Sequence, residues 1–226
     1  MKTKFVLATL LMATFGVAQA FGLPKLGGGG GGGGGDVEGL VKQFNAENEV
    51  ISALTANSLL FIQAALGDKT EVAAIAEKAS SLSKATDPKE KQAIQGTVIK
   101  DAGAKVAELM ASEKAKERMA NLAPELQKKV SKSILNVAIA ALKIPEMIDI
   151  GKKAIEGVGS NPMMISKIVP IKDGVQLFAD VLPKMTDIVK TGFKMLQSVK
   201  IDPGSPAKDS KTEEIDASAL ISQLPS

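Results

Sequence analysis

Acid–base, nucleophilic and metal chemistry each need particular residue types, and this chain offers carboxylates, serines, lysines and methionines for them. It has no His, Cys, Trp or Tyr anywhere in its 226 residues. Ser-His-Asp and Cys-His catalysis are therefore excluded, as is any histidine base. Zinc and copper sites built from imidazole or thiolate fall with them. A pair of carboxylates could still hydrolyse a glycosidic bond, but such sites rest sugars on aromatic platforms. Beyond residue 20 the only aromatics are Phe21, Phe44, Phe61, Phe178 and Phe193. Glu47, Glu49, Asp68, Glu71, Asp101 and Glu108 read instead as solvated helix faces and caps. Ser81 and Lys84 have the S-x-x-K spacing of a serine–lysine dyad, a match that a chain this rich in both residues produces by chance. The methionines Met110, Met119, Met147, Met163, Met164, Met185 and Met195 could offer thioethers to Cu(I). Only Met163 and Met164 adjoin, so gap-filling in an apolar core is the expected role. No enzymatic activity, cofactor or metal is expected.

Nine consecutive glycines, Gly27 to Gly35, raise the question of a phosphate-cradling loop. Such a loop needs a preceding strand, a closing Lys-Ser/Thr or a G-x-G-x-x-G pattern, and a following helix. No strand pattern precedes the run and no such closure follows it, while "GDKT" at 67–70 joins two helical patterns. The run reads as a flexible tether, a coil spanning about 15–18 Å, between a short apolar head, Phe21 to Leu26, and the body.

Residues 1–20 read as a signal peptide. Lys2 and Lys4 form its charged start, Phe5 to Val17 its apolar core, and Ala18-Gln19-Ala20 an A-x-A cleavage site. The apolar stretch is short for a bilayer span, and no cysteine stands at the cleavage site to take a lipid. The expected destination is the periplasm or the outside of the cell. Removing the leader takes two of the 28 basic residues and leaves 26 against 25 acidic ones. That balance gives no basis for nucleic-acid binding, which rests on clustered Lys and Arg. Arg118, the only arginine, sits in a mixed-charge helical surface.

The remainder, about 190 residues, is enough for one core and must be held by packing alone. Apolar residues recur three and four apart with little strand-like alternation. Asp36 is a candidate cap for a helix from Val37 to Leu66, with Leu40, Phe44, Ile51, Leu54 and Phe61 on one stripe and a soft spot at Asn45 to Asn48. Asp68 and Glu71 have capping-box spacing, as do Asp87 and Glu90, with Pro88 at the first helical position. The helix from Pro88 is expected to reach Asn121, with Ile94, Val98, Ala102, Val106 and Leu109 inward. Pro124 opens another, in which Ser133 to Ile144 is apolar nearly all round and reads as a buried central helix. Pro145 is expected to end it. Pro162, Pro170 and Pro183 are expected to divide the rest into short amphipathic helices.

The expected fold is an all-α helical bundle of about five to seven helices. Its organisation is a signal peptide (1–20), a head with poly-glycine linker (21–35), the bundle (36–200) and a disordered tail (201–226). The tail has one weak helical turn at Ala217 to Leu224. Val175, Phe178, Leu182, Met185, Ile188, Val189, Phe193 and Leu196 form an apolar stripe bordered by lysines. Such a stripe either faces a core or receives a protein partner or lipid, with Asp173, Asp180 and Asp187 diluting the charge. No transmembrane segment is expected in the mature chain. The expected function is non-catalytic: an exported binding, scaffold or assembly component acting through apolar helical surfaces. The alternative is a lipid-binding or membrane-active protein.

Overall fold

The computed structural model describes residues 37–158 and 165–224, all within one compact unit. Asp36, the candidate cap, and Pro162 lie outside the described residues. Four long helices make the frame: α1 (Val37–Leu66), α3 (Pro88–Met110), α5 (Pro124–Val158) and α6 (Ile165–Ser198). Three shorter ones, α2 (Val72–Lys84), α4 (Glu113–Asn121) and α7 (Ala217–Ile221), join or cover them. No strand occurs among the described residues, and the fold is an all-α bundle.

α1 packs on α3 and α5, and α6 packs on the same two, closing a ring of four. Small residues at the crossings fix the directions. A Cβ at Gly151 would meet Phe44 and one at Gly157 would meet Val37, so α5 runs antiparallel to α1. The Glu49–Lys91 pair and the approach of Leu59 to Gly103 set α3 parallel to α1. Gly192 beside Ile134 turns α6 antiparallel to α5. α2 therefore returns the chain from the end of α1 to the start of α3, and α4 links α3 to α5.

Local signals set most helix starts. The Asp87 carboxylate accepts the backbone N–H groups of Lys89 (3.0 Å) and Glu90 (2.9 Å), with Pro88 at the position where a missing N–H costs nothing. Ser112 divides what was expected to be one helix to Asn121: its Oγ accepts from Ala115 N–H at 3.2 Å and starts α4 afresh. Asp68 caps only a short 3-10 turn, accepting from Thr70 N–H and Thr70 Oγ1, both at 3.0 Å. Its expected box partner Glu71 pairs with Lys105 of α3 instead, at 3.1 Å. The soft spot at Asn45 to Asn48 stays helical because Asn48 is buried and its side-chain oxygen accepts from Ser52 Oγ at 3.3 Å.

The prolines do not break the helices as expected. α5 passes through Pro145, and α6 passes through Pro170 and Pro183. All three are solvent-exposed, so each carbonyl freed one turn earlier is on the water side. Ile144 and Met147 around the first, and Val181 and Met185 around the last, are buried and hold the axis. Each interior proline costs about 3 kcal/mol, and burial of one large apolar side chain contributes about 1.5–3 kcal/mol, so the flanking stripes outweigh the breaks.

The helix buried on all sides is not Ser133 to Ile144, since Leu142 there is 40 % exposed. It is the second half of α1, where Ser58 to Gly67 are buried without interruption among α2, α3, α4, α5 and α7.

The expected disordered tail is an ordered strap. α6 ends with Lys200 in the left-handed region at φ 62° and Ile201 N–H bonding to Leu196 O at 2.9 Å, a Schellman-type stop. The chain then crosses α5 and finishes in α7, with Ile215, Ala217 and Ile221 buried against the bundle. The reason is a partner far away in sequence. Asn136 Nδ2 donates to Glu213 O at 2.7 Å, and Glu213 N–H donates to Asn136 Oδ1 at 3.2 Å.

Candidate functional site

The stripe on α6 is an inner face of the bundle. Phe178, Met185, Ile188 and Leu196 are fully buried in the core, while Val175, Leu182, Val189 and Phe193 are half-buried at its edges. The pattern reported amphipathicity correctly, and the partner it faces is the rest of this chain.

The residues weighed for chemistry are dispersed. Glu49, Asp68, Glu71 and Asp101 each pair with a lysine on an exposed surface, namely Lys91, Lys114, Lys105 and Lys78. Ser81 and Lys84 both stand exposed on α2 rather than in the desolvated setting a lysine base needs. Met110, Met119, Met147, Met185 and Met195 fill the core, and Met163 and Met164 lie outside the described residues. Among the described residues no group of three or more carboxylates could hold a metal ion.

A concave surface exists elsewhere, where α2 and α3 diverge. Ala74, Glu77, Lys78 and Ser81 of α2 face Ala93, Ile94, Thr97 and Val98 of α3 across a groove of about 520 Å³. The α2 residues recur at i, i+3, i+4 and i+7, one stripe of a helix. Val98 is buried and Ile94 half-buried at the floor. The small side chains of Ala74 and Ala93 keep the mouth wide. Glu77, Lys78, Ser81 and Thr97 supply a polar rim, and Lys78 reaches Asp101 of α3 at 3.8 Å. Thr97 Oγ1 donates back to Ala93 O at 3.1 Å. The arrangement suits an apolar side chain flanked by polar groups. Sequence alone does not reveal the groove, because its width depends on how far α2 tilts from α3.

Electrostatic perturbation falls on three groups among the described residues: Asp68, Lys143, and Lys153, which its hydrogen bond to Asp149 at 2.7 Å raises. Asp68 is held at a pKa of about 2, chiefly by the Thr70 N–H and hydroxyl bonds and then by Lys114 at 3.4 Å. Together with Arg118 at 3.9 Å, this cluster ties the α1–α2 turn to α4. Lys143 of α5 is lowered by partial burial, against the opposing pull of Glu47, Glu146 and Asp209. None of the three lines the groove.

No protein-family model, curated protein or solved structure matches the chain.

Proposed function

We propose that this is an exported, non-catalytic helical protein that acts as a binding or assembly component, and that the α2–α3 groove is its partner-facing surface. The observation carrying this reading is the groove itself. It is shallow and open, and its apolar floor and mixed-charge rim suit an apolar anchor from a protein segment. Export rests on the leader sequence, and the absence of His and Cys from the whole chain supports a role without imidazole or thiol chemistry. Ile94→Glu puts a charge on the floor at a half-buried position, and unchanged circular dichroism and Tm are required of the variant before its binding is compared. Capture from an envelope extract, compared between the native chain and Ile94→Glu, tests the reading. A partner retained by the native chain and lost by the variant supports it, and identical captured sets refute it.

A second reading, lipid or membrane binding, draws on α1. This helix of 30 residues is long and apolar enough to cross a bilayer, although 72 % of its most apolar window is buried in the bundle. Opening of the bundle around α1 would offer that surface to acyl chains. Co-sedimentation with anionic liposomes at low salt tests it, and protein left wholly in the supernatant rejects it.

A further inference from the structure

α2 lies against α1 and α7 more closely than against α3, although α3 follows it directly in the chain. Its buried residues, Ile75, Ala79 and Leu82, recur at i, i+4 and i+7 and form one apolar line along the helix. The groove residues Ala74, Glu77, Lys78 and Ser81 lie on the adjoining flank, about 100° round the helix from that line. Its ion pair with α3, Lys78–Asp101 at 3.8 Å, is exposed and of the kind that contributes little. The wall of the groove on the α2 side is therefore placed by what lies under the apolar line, and α7 is part of that support.

α7 is itself held from a distance. Asn136 of α5, 1 % exposed, bonds the main chain of Glu213 through both ends of its amide, four residues before α7 begins. Ion pairs Lys129–Glu213 and Lys208–Glu146 flank that clamp. The Asp216 carboxylate then caps α7 by accepting from Ala219 N–H at 3.0 Å, and Ala217 and Ile221 are buried where α7 meets α1 and α2. Without α7 the apolar line of α2 loses cover on one side. The apolar surface next to hand is the groove floor, Val98 with half-buried Ile94. Rolling α2 onto that floor would bring it to the 8–10 Å axial spacing of ordinary packed helices and fill the groove.

We infer that α7 is the positioning element of the α2–α3 groove: seated against α1 and α2, it holds the α2 wall off α3 and keeps the groove open. By linkage, an occupant that needs the open groove tightens the hold of the strap, and release of the strap closes the groove. This control matters to function only if the groove is the partner-facing surface proposed above. The position of α2 is measurable with no partner present, so the two readings fail separately.

The chain has no cysteine, so spin labels attach only where cysteines are introduced. Glu77→Cys on α2 with Asp180→Cys on α6 reports the position of the wall by double electron–electron resonance. Lys100→Cys on α3 with Asp180→Cys is the control, and all three positions are exposed. Ile221→Glu puts a charge into the seat of α7 and should shorten the Glu77–Asp180 distance by about 3 Å or more as α2 approaches close helix packing. The control distance should stay unchanged. Ile221→Ala should act in the same direction by a smaller amount, and it carries the test if circular dichroism shows that Ile221→Glu loses helix beyond α7. Ile221→Val, which keeps the seat filled, should retain the native distance. A Glu77–Asp180 distance unmoved in both Ile221→Glu and Ile221→Ala overturns the inference. So does a control distance that moves as far, since α7 would then brace the whole bundle rather than α2.

Discussion

Gly151 of α5 sits where three helices converge, and replacing it with alanine sets two known effects against each other. In an open helical position the change gains about 1 kcal/mol from helix propensity. At Gly151 the new Cβ would lie 2.5 Å from Val175 Cγ2 and 2.8 and 3.0 Å from ring atoms of Phe44. Val175 is half-buried and can turn aside, but Phe44 is fully buried and already wedged against Gly174. Overpacking of this kind costs about 1–3 kcal/mol, and the rigidity of Phe44 places Gly151→Ala toward the upper end. The net expectation is a loss of about 1–2 kcal/mol, or roughly 2–8 °C in Tm for a chain of this size. Gly96 and Gly103 of α3 are the controls. Their nearest neighbours would be 3.6 Å (Leu177) and 3.7 Å (Leu59) from an added Cβ, ordinary contact distances. Gly96→Ala and Gly103→Ala should therefore each stabilise by about 0.5–1 kcal/mol. Urea unfolding monitored at 222 nm gives all three midpoints, with an unchanged slope confirming that the cooperative unit is intact. Val175→Ala combined with Gly151→Ala should cost less than the two changes summed, because the first removes the atom that the second strikes. If Gly151→Ala matches Gly96→Ala in sign, the close convergence of α1, α5 and α6 around Phe44 is wrong.

Thr55 Oγ1 and Gln95 Nε2 are buried without hydrogen-bond partners, so Thr55→Val, which keeps the shape and discards the hydroxyl, should stabilise by about 1 kcal/mol in the same assay. Asp68, with its pKa lowered from 3.8 to about 2, favours the fold when ionised. That contribution is complete above about pH 4 and is lost as pH falls toward 2, so Asp68→Asn should flatten the stability profile across this window while a carboxyl NMR titration places the native group near pH 2. Asn136→Ala removes both bonds to Glu213 and should cost about 1–3 kcal/mol. Amide exchange should then accelerate in residues 210–224 well before it does in α5.

Much of the frame is legible in the sequence because its signals are local. The span of α1, the Asp87-Pro88 start of α3, the Pro124 start of α5 and the terminal helical turn all follow from caps and spacing within a few residues. What depends on distant partners is not legible. A proline stops a helix unless its freed carbonyl finds water and its neighbours are anchored, and only the packed bundle tells which side of α6 faces out. The strap looked disordered because its composition is polar, while the group that orders it is Asn136, 77 residues before Glu213. The apolar stripe from Val175 to Leu196 illustrates a deeper ambiguity: the same periodicity serves a core, a partner or a lipid. The α2–α3 groove carries no pattern of its own, since Ala74, Ile94 and Val98 are ordinary members of two amphipathic helices.

The exposed prolines of α5 and α6 also govern what those faces can touch. Each removes the N–H that would bond the carbonyl four residues earlier, and in hydrocarbon an unfilled acceptor costs several kcal/mol. These outer faces therefore favour an aqueous boundary. Rolling a proline side into the core or into acyl chains would require a new donor for that carbonyl. A protein settling over Pro145, Pro170 or Pro183 would do best to bring donors of its own or trap water there, which disfavours a dry, purely apolar contact on this side of the molecule.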